Sequence, residues 1–413
     1  MLKLSPPWPV ARALLLGLVT LALSAHPSAL RASGLATQVA QAAAAESVFS
    51  VASSVSARED PGNKFPPAYA NLYYRPIEKR EYRSNPRVAA KGLYATLYTV
   101  ATPRRLNELI QIADTTEINS LVIDVKDDRG NLLWPMAAAE RYHPEANRKT
   151  MMRDPGPLLE RLRRHGIYPI ARVVVFKDPS YAAAHASTAI LDPATGRPYT
   201  SRDGLTWASP YDRDFRAYNL EVAREAAIAG FREIQFDYVR FPDVSRSRRL
   251  DYRNPTAQSK SQAIQSFLLE SRGVLVPLEV YVAADVFGMI CTTLDDMNIG
   301  QYWEAISNAV DYICPMMYPS HYGPEVYGFR VPDKEPYGVI ARGLDDALRR
   351  NANLATPALM RPWLQGFTAS WLPEYRSYGV AEIKAQIRAC TERGIDSYLI
   401  WNAANRYNPA AYR

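Results

Sequence analysis

One pattern constrains this chain more than any other. Short apolar runs of strand-forming residues recur along it, and helical segments separate them. The runs are Gly92–Tyr98, Ser120–Lys126, Ile167–Phe176, Glu233–Phe241, Leu278–Phe287, Asp311–Tyr318, Met360–Phe367 and Ser397–Asn402. Between them, 103–116 carries Leu106, Leu109, Ile110 and Ala113 at helical spacing. Further helices are predicted over 157–165, 211–229, 263–272, 299–308, 339–350 and 380–393, with Asp212 as a cap and Gly230 and Gly394 as stops. The strands are apolar almost throughout rather than alternating, which fits parallel strands buried on both faces. Eight such units over about 310 residues predict a (β/α)8 TIM barrel. The competing architecture is a doubly wound open sheet. That fold more naturally carries a Gly-rich phosphate loop after its first strand, and Tyr94–Val100 has none.

The barrel is expected over residues 91–413. Before it, Lys3 and Arg12 form a basic start, residues 13–23 an apolar core, and Leu23-Ser24-Ala25 a small-residue cleavage point. Residues 1–25 therefore read as an export signal, since the apolar core is short for a membrane span, with an uncleaved anchor as the alternative. Residues 26–65, rich in Ala, Ser and Val, read as a flexible linker, and 66–90 as an arm leading into the barrel. The expected address is the periplasm, the cell envelope or the extracellular space.

Chemistry in a barrel of this kind gathers at the C-terminal ends of the strands. Asp237 lies late on the fourth strand, inside an apolar run where an ionised carboxylate is costly unless paired or employed. A salt bridge to Arg240 or Arg172 is the plain structural reading. Asp285, late on the fifth strand, offers a chemical partner. Neighbouring strands lie about 4.8 Å apart. Carboxyls roughly 5 Å apart suit a retaining glycosidase, and a wider gap suits inversion. The expected catalytic pair is thus Asp237 as nucleophile and Asp285 as acid/base, with the two roles open to exchange.

Side-chain alternation puts Asp124 and Lys126 on one face, with Arg172 on the adjacent strand. Asp124 and Arg172 are expected to pair, either structurally or to orient a substrate. Arg240 has the opposite parity to Asp237 and is expected to hold the loop after its strand. The expected substrate-binding set is Asp124, Lys126, Arg172, Trp207, Tyr211, Arg240, Tyr318, His321, Gln365, Trp401 and Asn402. Its aromatic members suit the apolar faces of sugars, or simply pin loops to the barrel.

Other chemistries fit less well. The histidines, His26, His143, His165, His185 and His321, make no metal-like pair, so neither a metal nor another cofactor is expected. Asp127 and Asp128 read as a solvated loop rather than a cation site. There is no Gly-x-Ser-x-Gly elbow. The net charge is +7, but no basic helix, zinc finger or RNA-binding signature accompanies it, so no nucleic-acid partner is expected. A basic surface also suits an acidic polymer or a peripheral envelope contact. Cys291, Cys314 and Cys390 are an odd number with no metal spacing, and no disulfide is assigned.

Several motifs together resemble one family. They are Trp207-Ala208-Ser209-Pro210-Tyr211, the stretch from Gly230 to Pro242 with Phe236-Asp237-Tyr238-Val239-Arg240-Phe241-Pro242, the run Pro315–Tyr322, and Trp401-Asn402-Ala403. The set is similar to the glycoside hydrolase-like domain family DUF4015 over roughly Lys91 to Tyr407. The resemblance implies a TIM barrel and hydrolysis of a glycosidic bond in an oligo- or polysaccharide. Asp237 falls on its fourth-strand motif, and Asp285 on its fifth-strand Ala-Asp-Val-Phe-Gly segment. A carbohydrate-binding barrel without turnover is the alternative.

Overall fold

The computed structural model describes residues 65–413. The expected export signal, residues 1–25, and all but the last residue of the expected linker lie outside the described residues. Eight parallel strands close into a barrel: β1 (Lys91–Ala95), β2 (Ser120–Lys126), β3 (Tyr168–Val174), β4 (Glu233–Asp237), β5 (Tyr281–Phe287), β6 (Tyr312–Met317), β7 (Trp363–Gln365) and β8 (Tyr398–Trp401). Lys91 of β1 pairs with Tyr398 of β8, and Trp363 of β7 with Met316 of β6, so the sheet has no free edge. The outer layer includes α1 (Pro103–Thr115), α2 (Gly156–Arg164), α3 (Arg213–Ala229), α4 (Lys260–Leu275), α5 (Trp303–Ala309), α6 (Pro336–Asn351) and α7 (Val380–Thr391). All residues of β2, β3 and β4 are buried, as a parallel strand between a packed interior and a helical layer requires. The fold is a (β/α)8 barrel.

Local chemistry sets the boundaries. The Asp212 side chain accepts the Phe215 N–H at 2.7 Å and starts α3, and Gly230, at φ +118°, ends it in the left-handed region open to glycine. β4 is shorter than the apolar run suggests, because Tyr238 turns to φ +49° immediately after Asp237. β1 likewise stops at Ala95. Thr96 accepts the Thr99 N–H and opens a short helix, Leu97–Ala101. That helix leaves Tyr98 exposed rather than at a strand end. The predicted seventh strand divides into Leu359–Met360 and β7.

The barrel interior is layered. At the bottom, Arg361 and Glu233 form a 2.6 Å ion pair whose side chains are both 0% exposed, with Arg361 stacked 3.8 Å over the Tyr312 ring. Val122, Ile170, Ala283, Cys314 and Leu399 are buried in the same interior cluster. The three cysteines are buried and unbridged.

Residues 65–90 form a strap around the outside of the barrel. Tyr69 stacks on Tyr302 at 4.1 Å, and the Tyr73 N–H donates to Gln265 at 2.7 Å. Lys79 Nζ donates to the Asn308 and Val310 carbonyls at 2.6 Å each, at the C-terminus of α5. Asn85 Nδ2 reaches the Arg232 and Glu279 carbonyls at 2.7 and 2.8 Å, below β4 and β5. Tyr82 packs on Tyr281 and helps close the bottom. Among the described residues, no helix is long and apolar enough to cross a membrane.

Candidate active site

The open end of the barrel is a pocket, and its floor is a set of ionisable groups on adjacent strands. Asp124 comes from β2, Arg172 from β3, Asp237 from β4 and Asp285 from β5. Each is 5% exposed or less. Phe236 and Ala284 are the last paired residues of β4 and β5. Asp237 and Asp285 therefore stand one step further on, on strands about 4.8 Å apart.

Arg172 organises one side of this floor. Its Nη1 donates to Asp124 at 2.5 Å, while Nε and Nη2 both donate to Asp237 Oδ2, at 2.9 and 2.6 Å. The Asp237 Oδ1 atom accepts the Tyr238 N–H at 2.5 Å, a contact made available by the left-handed turn at Tyr238. Asp124 also accepts the Tyr94 hydroxyl at 2.6 Å. Burial raises the Asp124 carboxyl, against the pull of Arg172 and Tyr94. The guanidinium itself lies 5.5 Å over Tyr94 and 5.3 Å over Trp401, two rings stacked 3.9 Å apart.

Asp285 lives differently. Its Oδ1 accepts the Trp363 indole N–H at 2.7 Å, and its Oδ2 is buried without a hydrogen-bond partner. Burial pushes its carboxyl well above the usual range, and the charge of Asp237 pushes it further; Arg172 and Trp363 only partly oppose this. The two neighbouring carboxyls sit in different surroundings: Asp237 accepts from three donors, two on Arg172 and the Tyr238 N–H, whereas Asp285 accepts from one and is biased by burial toward its protonated form.

The walls add Asp127, Asp128, Lys177, Tyr238 and Arg240, together with Phe287, Gly288, Met289, Met316, Tyr318, His321 and Tyr322. Lys177 bonds Asp128 at 3.2 Å and also pairs with Asp203. Burial by itself would lower the ammonium of Lys177, but Tyr238, Asp128 and Asp203 raise it overall. Burial raises Asp127 to about 6, with the neighbouring Asp128 adding to the effect. His321, half-buried at the wall, is pushed down to about 4 by loss of water, so its imidazole is neutral at physiological pH. Among the described residues, no group of three or more His, Cys, Asp or Glu side chains is arranged to hold a metal ion.

The structure brings together Asp124, Arg172, Asp237, Arg240, Asp285, Tyr318, His321 and Trp401 around this pocket. Five other sequence-predicted residues lie away from it. Lys126 is displaced by a register shift between Asp124 and Lys126, which breaks the alternation and turns it outward. There it meets Asp178 at 2.8 Å, Asn219 of α3 at 3.1 Å and the Val174 carbonyl at 2.8 Å. Gln365 holds loops instead, accepting from Ser320 and donating to Asp333. Asn402 Nδ2 ties the Gly366 and Arg406 carbonyls. Tyr211 donates to the Gln258 carbonyl and packs on Phe241. Trp207 donates to Ser201 and lies behind Arg240.

Trp363 and Tyr94 were missed, although strand alternation gives a signal for both. Tyr94 shares its face with Gly92, and Trp363 shares its face with Arg361, whose side chain enters the barrel.

No curated protein matches the chain. A solved structure of a hypothetical protein from Ruminiclostridium thermocellum is 33% identical, covering 47% of this chain and 97% of its own, with a TM-score of 0.41. The glycoside hydrolase domain of PgaB (BpsB) from Bordetella bronchiseptica is 14% identical, covers 76% of this chain and 94% of its own, and has a TM-score of 0.55, so it shares the fold. Residues 92–407 match the family described as "Putative glycosyl hydrolase domain" (DUF4015), and the chain belongs to that family.

Proposed function

We propose that this chain is an exported glycoside hydrolase that cuts a polysaccharide of the envelope or extracellular space. The observation that carries the reading is the pair Asp237 and Asp285, on adjacent strands of one pocket, with Asp237 ion-paired to Arg172 and Asp285 buried on the Trp363 indole with its carboxyl raised. In the first step Asp285 gives its proton to the leaving oxygen as the glycosidic bond breaks. Asp237 Oδ1 or Oδ2 forms a bond to the anomeric carbon, and Arg172 holds this carboxylate in place through two hydrogen bonds to Oδ2. In the second step the Asp285 anion takes a proton from water. The water oxygen bonds the anomeric carbon and Asp237 leaves as carboxylate. The spacing of adjacent strands favours this two-step, retaining course, which uses carboxyls roughly 5 to 5.5 Å apart. Tyr94, Trp401 and Tyr318 offer ring faces to the sugar. The export assignment rests on Lys3, Arg12, the apolar residues 13–23 and the small residues that follow.

The test uses the wild type, Asp237→Asn and Asp285→Asn on purified wall, capsular and secreted polysaccharides in ¹⁸O-water. Mass spectrometry reads the released fragments. The wild type is expected to release fragments carrying one ¹⁸O at the new reducing end. Each variant is expected to lose about 10²- to 10⁴-fold in rate. Wild-type rates from both variants would overturn the assignment.

A further inference from the structure

Among the described residues, every cation lining the pocket has a carboxylate partner except one. Arg172 is shared by Asp124 and Asp237, and Lys177 by Asp128 and Asp203. Arg240 is 6% exposed and makes no ion pair among the described residues. Its guanidinium lies 4.9 Å from the Trp207 ring centroid, 5.0 Å from Tyr238 and 4.4 Å from Phe287. Nη1 donates to the Phe241 carbonyl at 3.0 Å, which is one use of five N–H donors. A buried guanidinium packed by three rings is already stripped of much of its water and fixed in orientation. An anion that reaches it therefore meets a strong, preformed fork of donors.

The position matches a substrate group. Phe287 stands two residues beyond Asp285 towards the open end of β5, and Arg240 lies against its ring in the same pocket, on the mouth side of the two carboxyls. The acidic residues nearby are already engaged. Asp127 accepts from the Arg129 and Asn131 backbone N–H groups and from the Asn131 side chain, and Asp128 is bonded by Lys177. The unmatched charge on this wall is positive.

We propose that Arg240 determines specificity by binding an anionic substituent, a carboxylate, sulfate or phosphate ester, on a sugar at or next to the bond that is cut. This deepens the hydrolase reading and rests on it for the ligand being a sugar.

The experiment is titration calorimetry on wild type, Arg240→Met and Arg240→Lys. The probes are α- and β-linked hexuronate tetrasaccharides, their methyl esters, and neutral tetrasaccharides bearing 6-sulfate or 6-phosphate. Thermal melting checks each variant's fold. At least one acidic probe is expected to bind the wild type about ten- to a hundred-fold tighter than its uncharged counterpart. Arg240→Met is expected to remove that preference and Arg240→Lys to keep part of it. The ranking of the three acids identifies the substituent. Acidic probes no tighter than neutral ones on the wild type, including no measurable binding, overturn the proposal, and so does a preference that survives Arg240→Met. The wild-type comparison decides even if the variants fail to fold. Polysaccharide cleavage without charge preference removes Arg240's role and leaves the hydrolase reading standing. Charge-selective binding without cleavage does the reverse.

Discussion

Trp363→Phe tests the proton placement on Asp285 directly. Phenylalanine keeps an aromatic ring in contact with Trp401 and Tyr94, now packed edge-on at 5.6 and 6.4 Å, and removes only the indole N–H. That N–H donates to Asp285 Oδ1 at 2.7 Å in a buried setting. A hydrogen bond to a charged acceptor is worth about 1.5–3 kcal/mol and one to a neutral acceptor about 0.5–1.5. The bond therefore favours the Asp285 anion by about 1–1.5 kcal/mol, equivalent to about one pH unit at 1.36 kcal/mol per unit. Its loss raises an already raised carboxyl. Asp285 must carry its proton to act as the acid, so the alkaline limb of kcat/KM is expected to move up by about one unit. The assay is initial rate against pH on a cleaved polysaccharide, with thermal melting to confirm folding. A limb that stays in place or moves down refutes both the acid role of Asp285 and the reasoning from Trp363.

Three further outcomes are expected. Because folding raises the Asp285 carboxyl, wild-type stability falls as pH climbs from the ordinary carboxylate value of about 3.9 through the folded value. Asp285→Asn removes that dependence, so its melting-temperature advantage should grow from about pH 4 to pH 8, and a flat difference rejects the linkage. Glu233→Gln leaves Arg361 buried without its counter-ion and should cost about 3–5 kcal/mol in urea denaturation. Activity per folded molecule should survive, since this pair lies at the far end of the barrel. Asn85→Ala removes two hydrogen bonds from the strap to the barrel bottom and should cost about 1–3 kcal/mol, with an unchanged urea midpoint counting against the strap's role.

Periodicity and length made the barrel legible, because parallel strands buried on both faces leave a mark that few other arrangements share. The ends of the elements were less legible. Nothing in the run through Phe236, Tyr238 and Val239 announces that Tyr238 adopts a left-handed φ and ends the strand at Asp237. At the site, alternation served for Asp124, Arg172 and Asp285, which sit in regular strand. It failed for Lys126, where a single register shift exchanges inside for outside. Gln365 and Asn402 occupy strand ends but spend their amides on loop backbone and on Ser320 and Asp333, contacts set by residues far away in sequence. Trp207 and Tyr211 sit behind Arg240 and Phe241, so aromatic content marked the right wall but the wrong layer.

The strap carries a consequence for the order in which the molecule assembles. Its partners include Gln265, Asn308 and Thr356, which lie 192, 235 and 279 residues downstream of the atoms they bond. β1 has the same dependence, since it pairs with β8 only when Tyr398 is available. The earliest part of this domain to leave the ribosome therefore cannot complete its docking until Thr356 has been made. Barrel closure and strap docking become late events with a high entropic cost of loop closure. A nascent or truncated chain ending before Tyr398 keeps β1 unpaired on that side, so the commitment to a folded barrel falls at the end of synthesis.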